Sequence, residues 1–246
     1  MDASFIGGIS SDDYGKAITE ELLEYGVDLR LANLSPLPTA LAKVTLDRSR
    51  SASYEFKLAG TATFDFGDWL PDGKPAVLHV GTLATIVEPG ATVLYEWAKR
   101  LSVPMVFDPN VRSSVLSDRE KYRSYFEKWV GISKVVKLSD ADLEWLGYSV
   151  TDLLKLGASL VVLTKGDAGI SGYVESEMID VPAVVVNVVD TVGAGDTVGA
   201  IVVEALVKYP ELSGAILKRV LERAAKAAAI TCSRAGAKPP TRSELS

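Results

Sequence analysis

Short apolar, β-rich runs alternate with longer helical stretches along most of this 246-residue chain. That alternation implies a mostly parallel sheet with helices on both of its faces. Four runs read as parallel strands: Ala76–Val80, Pro104–Phe107, Lys134–Val136 and Ser159–Leu163. Each is short, continuous and apolar, as a strand buried on both faces must be. Helices are expected at Pro89–Leu101, Asp118–Trp129 and Ala141–Leu156, and two long ones at Asp196–Lys208 and Ser213–Ser233. The last is rich in alanine and suited to close packing. Thr39–Asp47 and Ser51–Leu58 flank a short polar turn and read as a hairpin set apart from the parallel strands. Gly169–Val174 and Met178–Val189 read as an antiparallel extension at one sheet edge. Near the start, Ser4–Ile6 reads as a very short strand, followed by a helix over about Asp12–Tyr25 that ends at Gly26, a plausible C′ glycine.

Composition narrows the chemistry. Cys232 is the single cysteine and His79 the single histidine, which excludes an intramolecular disulfide, a four-thiolate metal site and any multi-histidine centre. A net charge of −6 and a pI near 5.0 argue against non-specific nucleic-acid binding. No apolar run reaches the roughly 18 residues a membrane helix needs, and the first residues lack the basic and apolar regions of a signal peptide. The expectation is a cytoplasmic protein with neither nucleic acid nor membrane as partner.

The parallel strands end in polar residues and glycines: His79-Val80-Gly81-Thr82, Asp108-Pro109-Asn110-Val111-Arg112, Lys137-Leu138-Ser139 and Thr164-Lys165-Gly166. Ligands of open α/β sheets bind outside the carboxyl ends of the strands, although polar strand ends are also what loops require. The sharpest segment is Asp190-Thr191-Val192-Gly193-Ala194-Gly195-Asp196, which opens a long apolar helix. Unpaired amides in a first helical turn, together with the helix dipole, make an anion site. Asp196 reads either as a first-turn carboxylate that steadies the helix or as a base facing an alcohol that attacks a bound phosphoryl group. Gly166-Asp167-Ala168-Gly169 reads either as a nucleotide-binding turn or as a hairpin turn. The chain has no P-loop sequence and no dinucleotide-binding glycine fingerprint. His79 reads as a core residue at a strand end rather than as a base.

Taken together, these segments resemble the ribokinase-like, or PfkB, carbohydrate kinases. Asp190–Asp196 resembles their D-T-x-G-A-G-D signature, and Asp108-Pro109-Asn110-Val111-Arg112 their D-P-N-x-R segment. Leu78–Leu83 is similar to L-H-x-G-S-L, Val162–Gly169 to their nucleotide-binding strand and turn, and Thr231–Ala237 to the end of their C-terminal helix. The resemblance implies a three-layer α/β sandwich with a mostly parallel central sheet in a single domain over 1–246, with the 39–58 hairpin as part of a small β lid. It implies ATP-dependent phosphorylation of a sugar hydroxyl, most like a fructokinase, with a 2-keto-3-deoxygluconate kinase or an inactive nucleotide-binding remnant as alternatives. By the same carry-over, Asp196 is the base, and Gly193, Ala194 and Gly195 are the anion hole. Thr164, Gly166, Gly169 and Ser139 line the ATP site, and Asn110 and Arg112 hold the acceptor or phosphates. Asp142 supports Mg2+ through water, in a motif that here reads Ser139-Asp140-Ala141-Asp142. Asp190 matches a position that binds a monovalent cation, such as K+, in relatives. Ala225 stands where many relatives place an adenine-side asparagine. Relatives begin with a sugar-binding strand ahead of the position that Phe5–Gly15 matches, so a few dozen residues and most sugar contacts are expected to be absent here. The lid often mediates dimerisation in relatives, which leaves a homodimer through it open here; without its partner strands the lid has exposed edges, and weak dimerisation or poor solubility is expected.

Overall fold

The computed structural model describes residues 2–46 and 52–245. The chain divides into two compact units: Met1–Lys74 with Thr82–Ser102 and Arg112–Tyr122, and Pro75–Gly81 with Val103–Val111 and Arg123–Ser246.

In the first unit, β1 (Gly8–Ser10) pairs in parallel with β2 (Asn33–Ser35), and α1 (Asp13–Glu24) lies between them in sequence. The strand therefore falls four residues later than the expected Ser4–Ile6, of which only a single bridge from Ser4 to Asp28 forms. The reason lies in Gly8: a Cβ there would stand 1.8 Å from the Ala62 carbonyl oxygen. The glycines that look like a strand terminator instead let the strand lie against another backbone. Asp12 caps α1. Its Oδ1 accepts from the Gly15 amide at 2.8 Å and its Oδ2 from the Thr39 amide at 2.8 Å. Those bonds, that from the Thr39 hydroxyl first among them, hold the Asp12 carboxyl far below the ordinary carboxylate range. The expected hairpin forms: β3 (Leu41–Leu46) runs antiparallel to β4 (Ala52–Lys57) as a separate two-stranded ribbon. The turn joining them lies outside the described residues. α2 (Gly90–Leu101) matches its expected span.

The second unit holds the main sheet. β5 (Leu78–Gly81), β6 (Met105–Asp108), β7 (Val135–Ser139) and β8 (Leu160–Thr164) run parallel, and β9 (Ile170–Val174) and β10 (Glu177–Val181) add antiparallel strands. The order is β10-β9-β8-β7-β6-β5. The observed strands run one to three residues further than the apolar runs, to Gly81, Asp108, Ser139 and Thr164. β10 stops at Val181 rather than at Val189, because Pro182 lacks the amide that would continue the ladder.

Alternation along the strands sorts their side chains onto two faces. Val106, Val135, Leu160 and Val162 join one buried cluster with α6 (Ala194–Lys208) and α7 (Gly214–Cys232). Phe107, on the opposite face, packs on Phe126 and Trp129 of α3 (Arg119–Ile132), with ring centroids 5.8 and 6.0 Å apart. The result is helix, sheet and helix in three layers, each fully buried aliphatic side chain contributing about 2 kcal/mol. The alanines of α7 serve the expected purpose: Ala224, Ala225 and Ala227 are buried in the cluster shared with α6.

The helix expected over Ala141–Leu156 is two, α4 (Asp140–Leu146) and α5 (Val150–Leu156). Gly147 ends the first in the left-handed region at φ 70°, and Ser149 opens the second with a capping box to Asp152. No helix among the described residues is long and apolar enough to cross a membrane.

Candidate active site

The period of two that builds the core also builds the site. Past Val106 on β6, the next residue on the α6 side is Asp108, and past Val135 on β7 it is Lys137, then Ser139. Register pairs His79 with Val106, and Ser139 with Thr164. His79, Asp108, Lys137, Ser139 and Thr164 therefore lie on the face that carries α6, at the carboxyl ends of the parallel strands.

α6 brings the glycine turn to this face. Gly193 is its N-cap, in the left-handed region at φ 80°. A Cβ on Gly193 would meet the Ala237 Cβ at 2.8 Å, so both conformation and space demand glycine. The Gly193 carbonyl accepts the Thr197 amide at 2.9 Å and the Thr197 hydroxyl at 2.8 Å. Thr197 in turn shares a hydrogen bond with Thr231 of α7 at 2.9 Å. This buried threonine pair fixes the turn to the last helix. It was not evident from sequence, because its members stand 34 residues apart.

Gly193, Ala194 and Gly195 are half-buried and Asp196 is exposed. Of the three residues expected to form the anion hole, Ala194 differs: its amide donates to the Thr191 carbonyl at 3.2 Å, inside the turn. The amides of Gly193, Gly195 and Asp196 have no protein acceptor among the described residues. The available donors thus share Gly193 and Gly195 with the expected set and replace Ala194 by Asp196, since in a first turn it is the winding of the chain that decides which amide points inward.

Asp190 acts on the same loop. Its Oδ1 accepts from Val192 at 3.0 Å and its Oδ2 from Gly236 at 2.9 Å, while the Val189 and Asp190 amides both donate to the Cys232 carbonyl. The Val192 and Gly236 amides hold the Asp190 carboxyl below its ordinary value. Ser139 and Asp142 form the capping box of α4, and Asp142 Oδ1 also accepts from the Val111 amide at 3.0 Å. The Asp142 charge is thereby fixed where β6 and β7 end. Among the described residues no group of three or more His, Cys, Asp or Glu side chains could hold a metal. Asp142 offers a single carboxylate at this strand end, which suits a supporting role toward a hard cation.

Thr164 closes β8, its hydroxyl donating to the Leu138 carbonyl at 3.3 Å. Gly166 takes φ 56° with open space around it, whereas a Cβ on Gly169 would meet the Val181 carbonyl oxygen at 2.1 Å. Asn110 follows β6 in the left-handed region at φ 37°. Arg112 opens the 112–122 segment of the first unit.

His79 lies on β5, the last strand in the sheet order; the residue as a whole is open to solvent, while its ring packs toward Gly199 of α6. Its Nε2 lies 3.6 Å from where a Gly199 Cβ would stand. The protein packed around the ring pushes its pKa down, Asp108 and then Asp196 pull it up, and Lys137 adds to the lowering.

A buried ion pair joins two residues that look like loop residues in the sequence. Lys137 Nζ and Asp108 Oδ2 are 2.7 Å apart, each side chain 6% exposed. Removing either partner of such a pair costs about 3–5 kcal/mol, because the other charge is left buried.

A family model described as pfkB family carbohydrate kinase matches residues 1–244. A fructokinase of Rhizobium leguminosarum bv. trifolii is 34% identical over 216 residues, covering 82% of this chain and 65% of that protein. The chain thus spans just under two thirds of that relative's length. Fructokinase-1 of Zea mays is 31% identical, covering 99% of this chain and 81% of the relative. Two solved structures share the fold. The fructokinase of Vibrio cholerae O395 with fructose, ADP and calcium has a TM-score of 0.86 at 23% identity, covering 99% of this chain and 84% of that one. The Xylella fastidiosa fructokinase with bound ATP has a TM-score of 0.88 at 24% identity, covering 98% and 83%. Motifs, fold and relatives agree, and the chain belongs to the pfkB family of carbohydrate kinases.

Proposed function

We propose that the protein transfers the terminal phosphoryl group of ATP to a hydroxyl of a sugar, with fructose as the acceptor. The observation that carries this reading is the first turn of α6. Gly193, Gly195 and Asp196 offer amides with no protein acceptor beside an exposed carboxylate, at the carboxyl ends of four parallel strands. The relatives named as fructokinases support the acceptor.

In this mechanism the terminal phosphate sits against the free amides, at the positive end of the helix dipole. The Asp196 carboxylate accepts the proton of the sugar hydroxyl as its oxygen bonds to phosphorus. The bond from that phosphorus to the bridging oxygen breaks, and ADP leaves with the electron pair. The transition state is loose, so Asp196 chiefly orients the hydroxyl. Mg2+, when bound with the nucleotide, neutralises charge on the phosphates. Asp142 would support it, and Asp190 would hold a monovalent cation such as K+ beside the same loop. Thr164, Ser139 and Gly166 line the nucleotide side, with Asn110 toward acceptor and phosphates.

The test is a coupled ADP-release assay on a sugar panel that includes fructose and 2-keto-3-deoxygluconate. The account predicts the highest kcat/KM for fructose. A higher value for the keto acid would reassign the acceptor. ATP binding by calorimetry with turnover on no sugar would mark a nucleotide-binding remnant instead.

A further inference from the structure

The glycine turn is held by a segment that the mechanism above does not use, residues 234–245, which follow α7. Its sequence is built to fold back on itself. Gly236 takes φ 76°, which reverses the chain, and Pro239 and Pro240 have a fixed φ and no amide to leave unpaired. Arg234 closes the loop: its Nη1 donates to the Pro239 carbonyl at 3.2 Å, and its Nη2 donates to Glu244 Oε1. The other oxygen of Glu244 caps the single helical turn Arg242–Glu244, accepting from the Thr241 amide at 2.7 Å. Two contacts carry the tip of the loop onto the start of α6. The Gly236 amide donates to Asp190 Oδ2 at 2.9 Å, and the Ala237 methyl group stands 2.8 Å from where a Cβ of Gly193 would be. The far end of the segment is fixed to the same helix: Arg242 lies 3.5 Å from Glu204 of α6, and Leu245 packs on the cluster shared by α6 and α7. The side chains of Arg234 and Glu244 are 31% and 39% exposed, so their pair adds little to overall stability. What it fixes is where Gly236 and Ala237 lie.

We propose that Arg234 and Glu244 are positioning residues for phosphoryl transfer: their ion pair closes the 234–245 segment into a strap that holds Gly236 against Asp190 and Ala237 against Gly193. The strap keeps the free amides of the α6 turn aimed at the terminal phosphate of the nucleotide. This rests on the reading of that turn as a phosphoryl site. Neither residue touches the reacting groups; each acts through the turn. Opening the strap frees the 190–193 loop, and the amides lose their common aim while the core stays packed.

The test uses Glu244→Gln in the full chain, with amide hydrogen exchange, calorimetric binding of ATP and of adenosine, and steady-state kinetics on the best sugar. The Thr197 amide, bonded to the Gly193 carbonyl at 2.9 Å, reports the turn, and the Val202 amide, further along α6, reports the helix. Thr197 exchange is expected to quicken at least about tenfold while Val202 stays within about twofold, the pattern of local opening. The kcat is expected to fall about tenfold and ATP affinity about three- to tenfold, as for a small misplacement at a reacting centre, with adenosine affinity within about twofold of the parent. Arg234→Gln is expected to give the same pattern. Arg234→Lys keeps a charge that can reach Glu244, and its kcat is expected to stay within about threefold of the parent. A merely structural segment would quicken exchange at both amides alike and lower the melting temperature, with the ATP-to-adenosine affinity ratio unmoved. Unchanged Thr197 exchange, equal quickening at both amides, or parent-like kcat in Glu244→Gln overturns the proposal. If the parent phosphorylates no sugar, the kinase reading fails on its own, and the ratio of Thr197 to Val202 exchange still decides whether the strap holds the turn.

Discussion

Asp196→Asn is expected to lower kcat for sugar phosphorylation by about 10²–10⁴-fold, the range for losing a positioned general base. The substitution is close to isosteric, and Asp196 is exposed in the first turn of α6. Nothing in the core has to move. The helix loses a favourable first-turn charge, worth about 0.3–1 kcal/mol, which changes the melting temperature by only a few degrees. ATP affinity is expected to hold or rise, since a negative charge beside the phosphates is removed. The two readings of this carboxylate therefore part cleanly. A residue that merely steadies the helix would cost stability and leave turnover intact. A base would cost turnover and leave binding intact. Steady-state kinetics with ATP calorimetry on the same preparation separates them, and full activity would remove Asp196 from the chemistry.

Gly169→Ala is expected to destabilise the protein by about 3 kcal/mol or more, among the larger effects of a single substitution. Gly169 has φ 98°, and an added Cβ would stand 2.1 Å from the Val181 carbonyl oxygen and 2.8 Å from the Ala183 amide nitrogen. Both are backbone atoms, so the end of β10 would have to shift. A left-handed backbone alone costs a non-glycine residue about 1–2 kcal/mol. Gly166, three residues earlier, provides the comparison: it also has positive φ, at 56°, but nothing lies within 4 Å of its Cβ position. Gly166→Ala is expected to cost only the conformational part. Thermal unfolding of the two variants should show a drop of about 6–12 °C for Gly169→Ala and less than half of that for Gly166→Ala. Equal melting temperatures would show that Gly169 is not required for the crossing of the chain beneath it.

These two glycines show what sequence can and cannot convey. The motif around Val162–Gly169 was legible as a strand and a turn, and both are present. Which glycine serves the chain's own path was not, because the atom that forbids a side chain belongs to Val181, across the β9–β10 hairpin. The parallel strands were legible because burial on both faces demands unbroken apolar runs. Their ends were drawn short because Asp108, Lys137 and Thr164 look like loop residues, although their backbones remain in the ladder. A charged residue two positions beyond a buried valine was the signal available, and period-two spacing from Val106 and Val135 would have placed Asp108 and Lys137 on one face. The pairing of β1 with β2 left no comparable trace: each strand has only three residues, too few for a pattern, and Gly8 pairs with Asn33 across the whole of α1. The α4–α5 break was written in Gly147 and Ser149, as a left-handed stop and a capping start, and only the continuous apolar pattern hid it.

The account stands on the free amides at the start of α6 receiving the terminal phosphate. Amide chemical-shift mapping of the ¹⁵N-labelled chain, titrated in parallel with a non-hydrolysable ATP analogue and with adenosine, measures this directly. The expected result is that Gly193, Gly195 and Asp196 shift strongly with the triphosphate and little with adenosine, while Ala194, already bonded to Thr191, responds less. If the triphosphate binds and these amides stay in place, the phosphoryl group lies elsewhere and the assignment of the site is wrong.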